Sequence, residues 1–424
     1  MGLLMVLATL ALTSYKSAST SKTGKGEPLD TACMKQTAQV GCQIQTIPVR
    51  QATITDKEKS PVEQMNTFAL QLFLQIHKTS EKMQNIVVSP LSVATLISII
   101  THGAECETLS EMTNVLGMKA KDVESLLSKL EMKADPLVNL HMANMLVTRP
   151  DIPLRKDFTN IIARYYNNTT TKVLDLRNEK ERQKIDQWCK QQTDGMIPKI
   201  TDENDTATVL LNAICFKALW EKPFENIQRM PFENADKSKV WLPGMSRHAY
   251  MMVEQREHYV ALGLNYCGGR YKMLILLPNE RYSVDHVLND LTATELEWLL
   301  KTKERNTETL LHMPKFEMRF KQPLIPILEK MGIRQAFTPQ ASFGRMSNKP
   351  LYFSNVEQRA YIEVNQNGTE ASAATKASMA IGAIGIEANY LYVKVDRPFM
   401  FVIGDSQTGV SLFMGEYRGD EKGR

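Results

Sequence analysis

Residues 365–381 carry an alternation of side chains that is typical of a β-strand. From Thr369 to Met379 every second residue is small or apolar, whereas the intervening residues are mostly polar or charged. A period of two allows one face of a strand to pack on a core while the other face meets water. Alanine, serine and glycine are nevertheless weak strand formers. We therefore expect a flexible segment that enters an existing sheet later, rather than a permanent strand of that sheet.

The residues at the start of this segment closely resemble the hinge of the serpin family, and they read Gly368-Thr369-Glu370-Ala371-Ser372-Ala373-Ala374-Thr375. Four further stretches resemble motifs of the same family: residues 85–92 (NIVVSPLS), 212–220 (NAICFKALW), 393–403 (VKVDRPFMFVI) and 412–415 (LFMG). They follow one another in the family's order, and on them the chain is identified as a member of the serpin family. The resemblance implies an α+β fold with three β-sheets, surrounding helices and an exposed reactive-centre loop at about residues 366–389.

The resemblance also implies roles for residues outside the hinge. Ser89, Ser92, Asn212 and Gln358 correspond to the shutter of the central sheet, and Gln358 stands where many members have histidine. Glutamine can still donate and accept hydrogen bonds toward the two serines or Asn212. Trp220 corresponds to the tryptophan of the breach, the end of the sheet at which the loop would enter.

In serpins a protease cleaves the loop, remains attached as an acyl-enzyme, and is trapped when the loop inserts as a new central strand. The resemblance therefore implies a suicide-substrate inhibitor whose partner is an extracellular serine protease held in a covalent complex. The usual family spacing, counted 14 residues on from Gly368, gives Gly382–Ala383 as the reactive bond. Small and apolar residues around this bond favour an elastase-like or chymotrypsin-like target over a trypsin-like one. The alternative is a non-inhibitory serpin, namely a carrier, a peptide precursor or a storage protein.

The N-terminal residues indicate a secreted protein. A short apolar stretch from Leu3 to Leu12 is followed by Ser17-Ala18-Ser19, which predicts a signal peptide over residues 1–18 and an extracellular location. Residues 19–61 form a polar extension without periodicity, residues 62–418 the serpin domain, and residues 419–424 a tail. No later apolar run reaches the length of about 18 residues that a membrane span needs, so we expect no membrane contact.

Six cysteines and four glycosylation sequons fit this secreted context. Cys33 and Cys42 lie in the polar extension, and resemblance to antithrombin-like serpins implies a bridge from one of them to Cys106, with Cys42 the candidate. The candidate glycosylation sites are Asn167, Asn168, Asn204 and Asn367, the last beside the hinge.

Composition and motifs exclude several other functions. The net charge of +4 is nearly neutral for 424 residues, which argues against a nucleic-acid surface. No metal-ligand spacing, phosphate-binding loop or nucleophile elbow is present, so we expect no metal, no cofactor and no enzyme activity. Lys121, Lys129 and Lys133 share one helical stripe that suggests a glycosaminoglycan contact, but nearby acidic residues favour a solvated helix face. We expect a monomer.

Periodicity predicts a mixed order of helices and strands without regular βαβ repeats, which favours an α+β fold. Ser89 and Pro90 are expected to cap a helix, and Gly268-Gly269-Arg270 to form a hairpin turn. Further helices are predicted at 178–194, 284–301 and 322–332. Strands are predicted at 207–217, 239–242, 259–262 and 271–277, and they dominate from Leu351 onward.

Overall fold

The computed structural model of the chain describes residues 56–130, 138–201, 208–303, 305–369 and 390–420. Several predicted features lie outside these residues: the signal peptide, Cys33 and Cys42, Lys133, Asn204, the hinge from Glu370 onward and the reactive bond Gly382–Ala383.

Nine α-helices lie within the described residues. They are α1 (Asp56–Thr79), α2 (Pro90–Thr101), α3 (Cys106–Leu116), α4 (Ala120–Leu130), α5 (Lys156–Tyr165), α6 (Glu179–Gln192), α7 (Val284–Asp290), α8 (Ala293–Lys301) and α9 (Ile325–Met331). Helix α2 is buried along its whole length, and it begins as the sequence predicts, with Ser89 as N-cap and Pro90 in the first turn. None of the described helices is long and apolar enough to cross a membrane.

A six-stranded sheet carries the region that the hinge would enter. Its strands are β10 (Phe316–Pro323), β11 (Phe353–Val364), β12 (Gly368–Thr369), β4 (Thr208–Leu219), β2 (Val138–Thr148) and β3 (Thr169–Val173), in that spatial order. Strand β4 is almost continuously apolar and buried along most of its length, as expected for a central strand covered on both faces.

The other strands join into a nine-stranded network that divides at one long strand. They are β1 (Ile86–Val88), β5 (Asn226–Glu233), β6 (Lys239–Gln255), β7 (Tyr259–Asn265), β8 (Tyr271–Pro278), β9 (Thr307–Pro314), β13 (Leu391–Lys394), β14 (Phe399–Asp405) and β15 (Ser411–Tyr417). Strand β6 pairs with β5 and β9 along its first part and with β7 at its end. Because β6 belongs to two groups of strands, the described residues form three sheets. The predicted α+β class is confirmed.

Two hydrophobic clusters cover opposite faces of the six-stranded sheet. The larger one joins this sheet to helices α1 to α4 and to strands of the second network. The smaller one packs α6, through Ile185 and Cys189, against Leu211 and Cys215 of β4. Since both faces of β4 are covered here, a strand inserted beside it would be enclosed by packed side chains on both faces.

The predicted hairpin turn connects β7 to β8. Gly268 and Gly269 both have positive φ, at 78° and 68°, which glycine adopts without strain. The Gly269 N–H donates to Tyr266 O at 3.0 Å and closes the turn. The turn holds Tyr266 at the end of the strand nearest the hinge.

Candidate functional site

Strands β11 and β4 form a parallel pair at the centre of the six-stranded sheet. Their register runs from Phe353 opposite Thr208 to Tyr361 opposite Cys215, with one irregularity between Phe353 and Asn355. Parallel pairs are slightly less stable per residue than antiparallel ones. The pairing of β11 with β4 is therefore of the weaker kind. The start of the hinge and the predicted shutter residues lie along the boundary between these two strands.

The start of the hinge already separates these two strands at one end. Thr369 lies opposite Val364 of β11 and opposite Ala218 of β4, antiparallel to both strands. Its side chain is fully buried, and its Oγ1 lies 2.7 Å from the Tyr266 hydroxyl. The sequence suggested that Thr369 would enter the sheet only after cleavage, within an exposed loop. In the structure this residue is part of the sheet before any cleavage.

Gly368 can occupy its position only because it has no side chain. A Cβ at residue 368 would lie 2.0 Å from the carbonyl oxygen of Ala218 and 2.7 Å from Leu219 Cα. Both atoms belong to the backbone of β4, so the contact cannot be relieved by rotating a side chain. The close approach of β12 to β4 thus explains the glycine, in addition to any freedom it gives the chain.

Trp220, the predicted breach residue, is fully buried and holds the turn that precedes the hinge. Its Nε1 donates to Asn365 O and its backbone N–H to Asn367 O, both at 2.9 Å. The indole stacks on the ring of Tyr266 with centroids 4.4 Å apart. Burial raises the pKa of the Tyr266 phenol, with a smaller opposite effect from the Thr369 hydrogen bond, so the hydroxyl stays protonated.

A chain of buried polar side chains crosses the β11–β4 boundary farther down. Gln358 Nε2 donates to Asn212 Oδ1 at 2.8 Å and to Ser89 O at 3.2 Å, while Gln358 Oε1 accepts from the Ser89 N–H at 2.8 Å. Asn212 Nδ2 then donates to Asn144 Oδ1 at 2.8 Å. Gln358 and Asn212 face each other across the boundary. Any strand that inserts here must break the bond between them.

The fourth predicted shutter residue takes part differently. The Ser92 N–H donates to Ser89 Oγ at 3.3 Å, which caps helix α2. The Ser92 hydroxyl is buried and has no hydrogen-bond partner among the described residues. The structure therefore brings Ser89, Asn212 and Gln358 into one hydrogen-bonded chain, and Ser92 supports it through the helix cap.

The predicted covalent modifications fall on different kinds of surface. Asn167 is exposed, whereas Asn168 is half-buried and its backbone oxygen accepts from the Asn144 N–H at 3.0 Å. Asn367 is half-buried, and its backbone oxygen accepts the Trp220 bond. Cys106 carries an exposed free thiol, so the predicted bridge between Cys106 and Cys42 is wrong in this structure. Cys267 is the described cysteine that is disulfide-bonded.

Sequence reasoning missed three residues that complete the site: Asn144, Phe224 and Tyr266. Asn144 extends the polar chain toward β3, where its Nδ2 lies 3.3 Å from Thr169 Oγ1. The Phe224 N–H donates to Gln366 O at 2.9 Å and fixes the turn before β12. The nearest sequence signal for Tyr266 was the adjacent Gly268-Gly269 turn. No sequence signal marked Asn144, the buried asparagine of β2.

Comparison with known proteins agrees with this geometry. The serpin family, described as serine protease inhibitor, matches residues 63–418. An uncharacterized serpin-like protein of Thermococcus kodakarensis is 29% identical over 378 residues, covering 87% of each chain. Neuroserpin of Gallus gallus is 29% identical over 388 residues, covering 85% of this chain and 92% of its own.

Solved structures of serpins superimpose on most of the chain. The thermophilic serpin tengpin in its native state gives a TM-score of 0.77 at 27% identity, over 89% of this chain and 98% of tengpin. Thyroxine-binding globulin in complex with thyroxine gives 0.75 at 23% identity, over 85% and 99%. The second likeness concerns the fold alone. The family match and the arrangement of strands together establish that the chain belongs to the serpin family.

Proposed function

We propose that this serpin inhibits a serine protease by inserting its cleaved loop between β11 and β4. The observation that carries the proposal is the position of Thr369, which already lies between Val364 and Ala218. The first pair of the new strand is thus formed in the uncleaved chain. Entry of the remaining hinge residues requires extension of an existing strand rather than formation of a new one.

The register at Thr369 gives a neighbour for each later residue. Moving one residue forward along the loop moves one residue back along β11 and β4, so Thr375 would lie six residues on, between Gln358 and Asn212. Its hydroxyl would replace the hydrogen bond that insertion breaks. Ala371 and Ala373 would face the larger core, where little space is left for bigger side chains.

The intervening residues of the hinge would face the cluster beneath α6 rather than open water. In the same register Lys376 would lie between Glu357 and Leu211. Glu357 is 1% exposed and lies 2.6 Å from Arg359 and 3.4 Å from Lys321. Arg359 and Lys321 already share the Glu357 carboxylate, so Lys376 would join an ion-pair cluster in which cations outnumber the carboxylate.

The covalent step belongs to the protease. Its serine oxygen attacks the Gly382 carbonyl carbon, the bond to the Ala383 nitrogen breaks, and a proton passes to the released amine. The acyl-enzyme then moves with the loop. From Thr369 to Gly382 is 14 residues, or about 45 Å of strand. A displacement of this length distorts the protease, and an error of about 1 Å in its catalytic groups slows deacylation by about 10²-fold.

Insertion replaces the single β11–β4 ladder with two ladders, one on each edge of the new strand. At about 1 kcal/mol per hydrogen bond, ten or more additional bonds give on the order of 10 kcal/mol. The uncleaved fold is thus held by a kinetic barrier. Gln358 and its partners form part of that barrier because their bonds must break before the new ones form.

The proposed target is an elastase-like or chymotrypsin-like enzyme outside the cell, in keeping with the predicted signal peptide and the apolar residues around Gly382. The Asn367 sequon is proposed to be unoccupied or only partly occupied, because its backbone is bonded to Trp220 and a glycan there would crowd the hinge. Exposed Asn167 is the better glycan acceptor.

The test is incubation of the mature protein with elastase, chymotrypsin and trypsin, followed by denaturing electrophoresis. We expect a covalent complex with one of the first two and a released fragment that begins at Ala383. Thr369→Arg should be cleaved without forming the complex, since a charge would have to be buried beside Tyr266. Ser125→Arg, on the exposed face of α4, should behave as wild type. Clean cleavage with neither a complex nor a gain in heat stability would favour the non-inhibitory carrier, precursor or storage role.

A further inference from the structure

A small cavity lies directly behind the breach. It has a volume of about 20 Å³ and is lined by Glu221, Lys222, Arg247, Lys272 and Arg305, among others. Glu221 is the residue that follows Trp220, so the cavity adjoins the turn that holds the hinge. A volume of this size admits a single water molecule or a monatomic ion.

Positive charge predominates around this cavity. Among the described residues that line the cavity, Glu221 is the one with a carboxylate. Arg305 Nη2 donates to both Glu221 carboxylate oxygens, at 2.5 and 2.6 Å. With that carboxylate engaged by Arg305, Arg247 and Lys272 have no carboxylate of their own among the described residues that line the cavity. Buried cations are costly unless an anion compensates them.

Arg247 is the buried cation most affected by the shortage of carboxylates around the cavity. Its side chain is 5% exposed, and its Nη1 donates to Lys222 O. The Nε–H is buried and has no acceptor among the residues that the structure describes. Burial lowers the pKa of Arg247 to about 10, which leaves the guanidinium charged at neutral pH. An unpaired buried donor of this kind destabilises the fold unless a ligand accepts from it.

Lys272 adds charge to the cavity but keeps its hydrogen bonds elsewhere. Its ammonium donates to Leu299 O at 3.1 Å, to Leu300 O at 2.9 Å and to Thr302 O, all at the C-terminal end of α8. These three bonds use the three donors of an ammonium group. Arg247 Nε is therefore the donor available to a ligand, while Lys272 contributes to the attraction of an anion.

We propose that this cavity binds a monovalent anion of halide size, which accepts a hydrogen bond from Arg247 Nε. A water molecule would satisfy the donor, but among the described lining residues the buried charges of Arg247 and Lys272 would then be balanced only by Glu221, which Arg305 already engages. The small volume favours a monatomic anion over a polyatomic one such as phosphate. The proposal is independent of protease inhibition, because it concerns a site of the uncleaved fold.

The site is coupled to the breach through Phe224. The Arg247 guanidinium lies over the Phe224 ring at 4.9 Å from its centroid. The Phe224 N–H donates to Gln366 O, three residues before Thr369. An anion that fixes Arg247 also fixes Phe224, and so stabilises the turn that places β12 in the sheet.

The first experiment measures thermal unfolding of the full chain in sodium bromide and in sodium gluconate at equal ionic strength. Bromide fits the cavity and gluconate does not. We expect a saturable rise of the apparent melting temperature by about 2 °C at ten times the dissociation constant in bromide. Arg247→Met should abolish the difference between the salts. Arg164→Met is the matched control, since Arg164 also lies over an aromatic ring, at 5.2 Å from the Tyr165 centroid, but on the surface.

The second experiment needs no variant. Crystals of the wild-type protein grown in bromide should give an anomalous peak within hydrogen-bonding distance of Arg247 Nε. A water molecule at that position, identical melting in both salts, or bromide dependence retained in Arg247→Met would overturn the proposal.

One further variant tests a competitor within the chain. Glu304 neighbours Arg305 in sequence and lies outside the described residues. Glu304→Gln should keep the bromide dependence of the wild type. If the dependence arises only in that variant, the chain's own carboxylate fills the site and the proposal is wrong.

Discussion

Replacing Gly368 with alanine is expected to expel Gly368 and Thr369 from the sheet. The new Cβ would lie 2.0 Å from Ala218 O, well inside van der Waals contact, and β4 has no room to move because both of its faces are packed. The displaced strand loses its pairing with β4 and the bond between Thr369 and Tyr266. About four hydrogen bonds at about 1 kcal/mol each put the loss near 4 kcal/mol. For roughly 350 folded residues this is a fall of about 5 °C in the apparent melting temperature.

The assay combines thermal unfolding with hydrogen exchange of the Thr369 amide, which should change from protected to rapidly exchanging. Gly344→Ala is the control, because Gly344 is exposed and the nearest atom to a new Cβ is Glu105 Oε2 at 2.5 Å, the end of a side chain that can rotate away. This control should melt as wild type. Unchanged melting and unchanged protection in Gly368→Ala would refute the account of β12 as a tightly fitted strand.

Three further predictions follow from other contacts. Gln358→Ala removes the hydrogen bond to Asn212 across the β11–β4 boundary, so this variant should convert to a heat-stable inserted form faster on mild warming. Gln322→Ala is the control, because Gln322 lies opposite Gln358 but on β10, and its conversion rate should match the wild type. Equal conversion rates of the two variants would contradict the role of Gln358. Lys376→Glu should decrease the fraction cleaved without trapping, measured as inhibitor consumed per protease, because its carboxylate would lie near Arg359 and Lys321, two cations that share Glu357 alone. An unchanged ratio would show that the register is wrong. Burial lowers the pKa of His77, but hydrogen bonds to Glu416 and Asp285 outweigh it, and the pKa lies above the ordinary value of 6.5. The stabilisation from protonated His77 is present below about pH 6.5 and is lost as pH rises through the folded-state pKa. His77→Gln should therefore lower the melting temperature more at pH 5.5 than at pH 8.5. An equal loss at the two pH values would contradict this role of His77.

The strands predicted best from the sequence are those whose apolar runs are continuous. The predicted range 207–217 became Thr208–Leu219, and 271–277 became Tyr271–Pro278. Strand β2 went unrecognised because polar residues interrupt its apolar pattern, including Asn144, which serves the polar chain rather than the core. The range 284–301 was predicted as one helix, but the chain breaks at Leu291 and Thr292 caps a second helix by accepting from the Glu295 N–H.

The site was predicted by resemblance to a family, and only in part. Ser89, Asn212 and Gln358 are brought together as the motifs imply, because the fold aligns β11 with β4. The early entry of Thr369 depends on a register between strands more than 140 residues apart in sequence, which local alternation does not contain. The cavity behind the breach depends likewise on the packing of Arg247 beside the end of α8, and no local pattern marks it.

The most direct measurement of the central claim is a crystal structure of the protein after cleavage in its loop. We expect a new strand antiparallel to both β11 and β4, with Thr375 between Gln358 and Asn212 and Lys376 beside Glu357. A cleaved structure in which Gln358 still donates to Asn212 across an intact β11–β4 pair, with the loop outside the sheet, would contradict it.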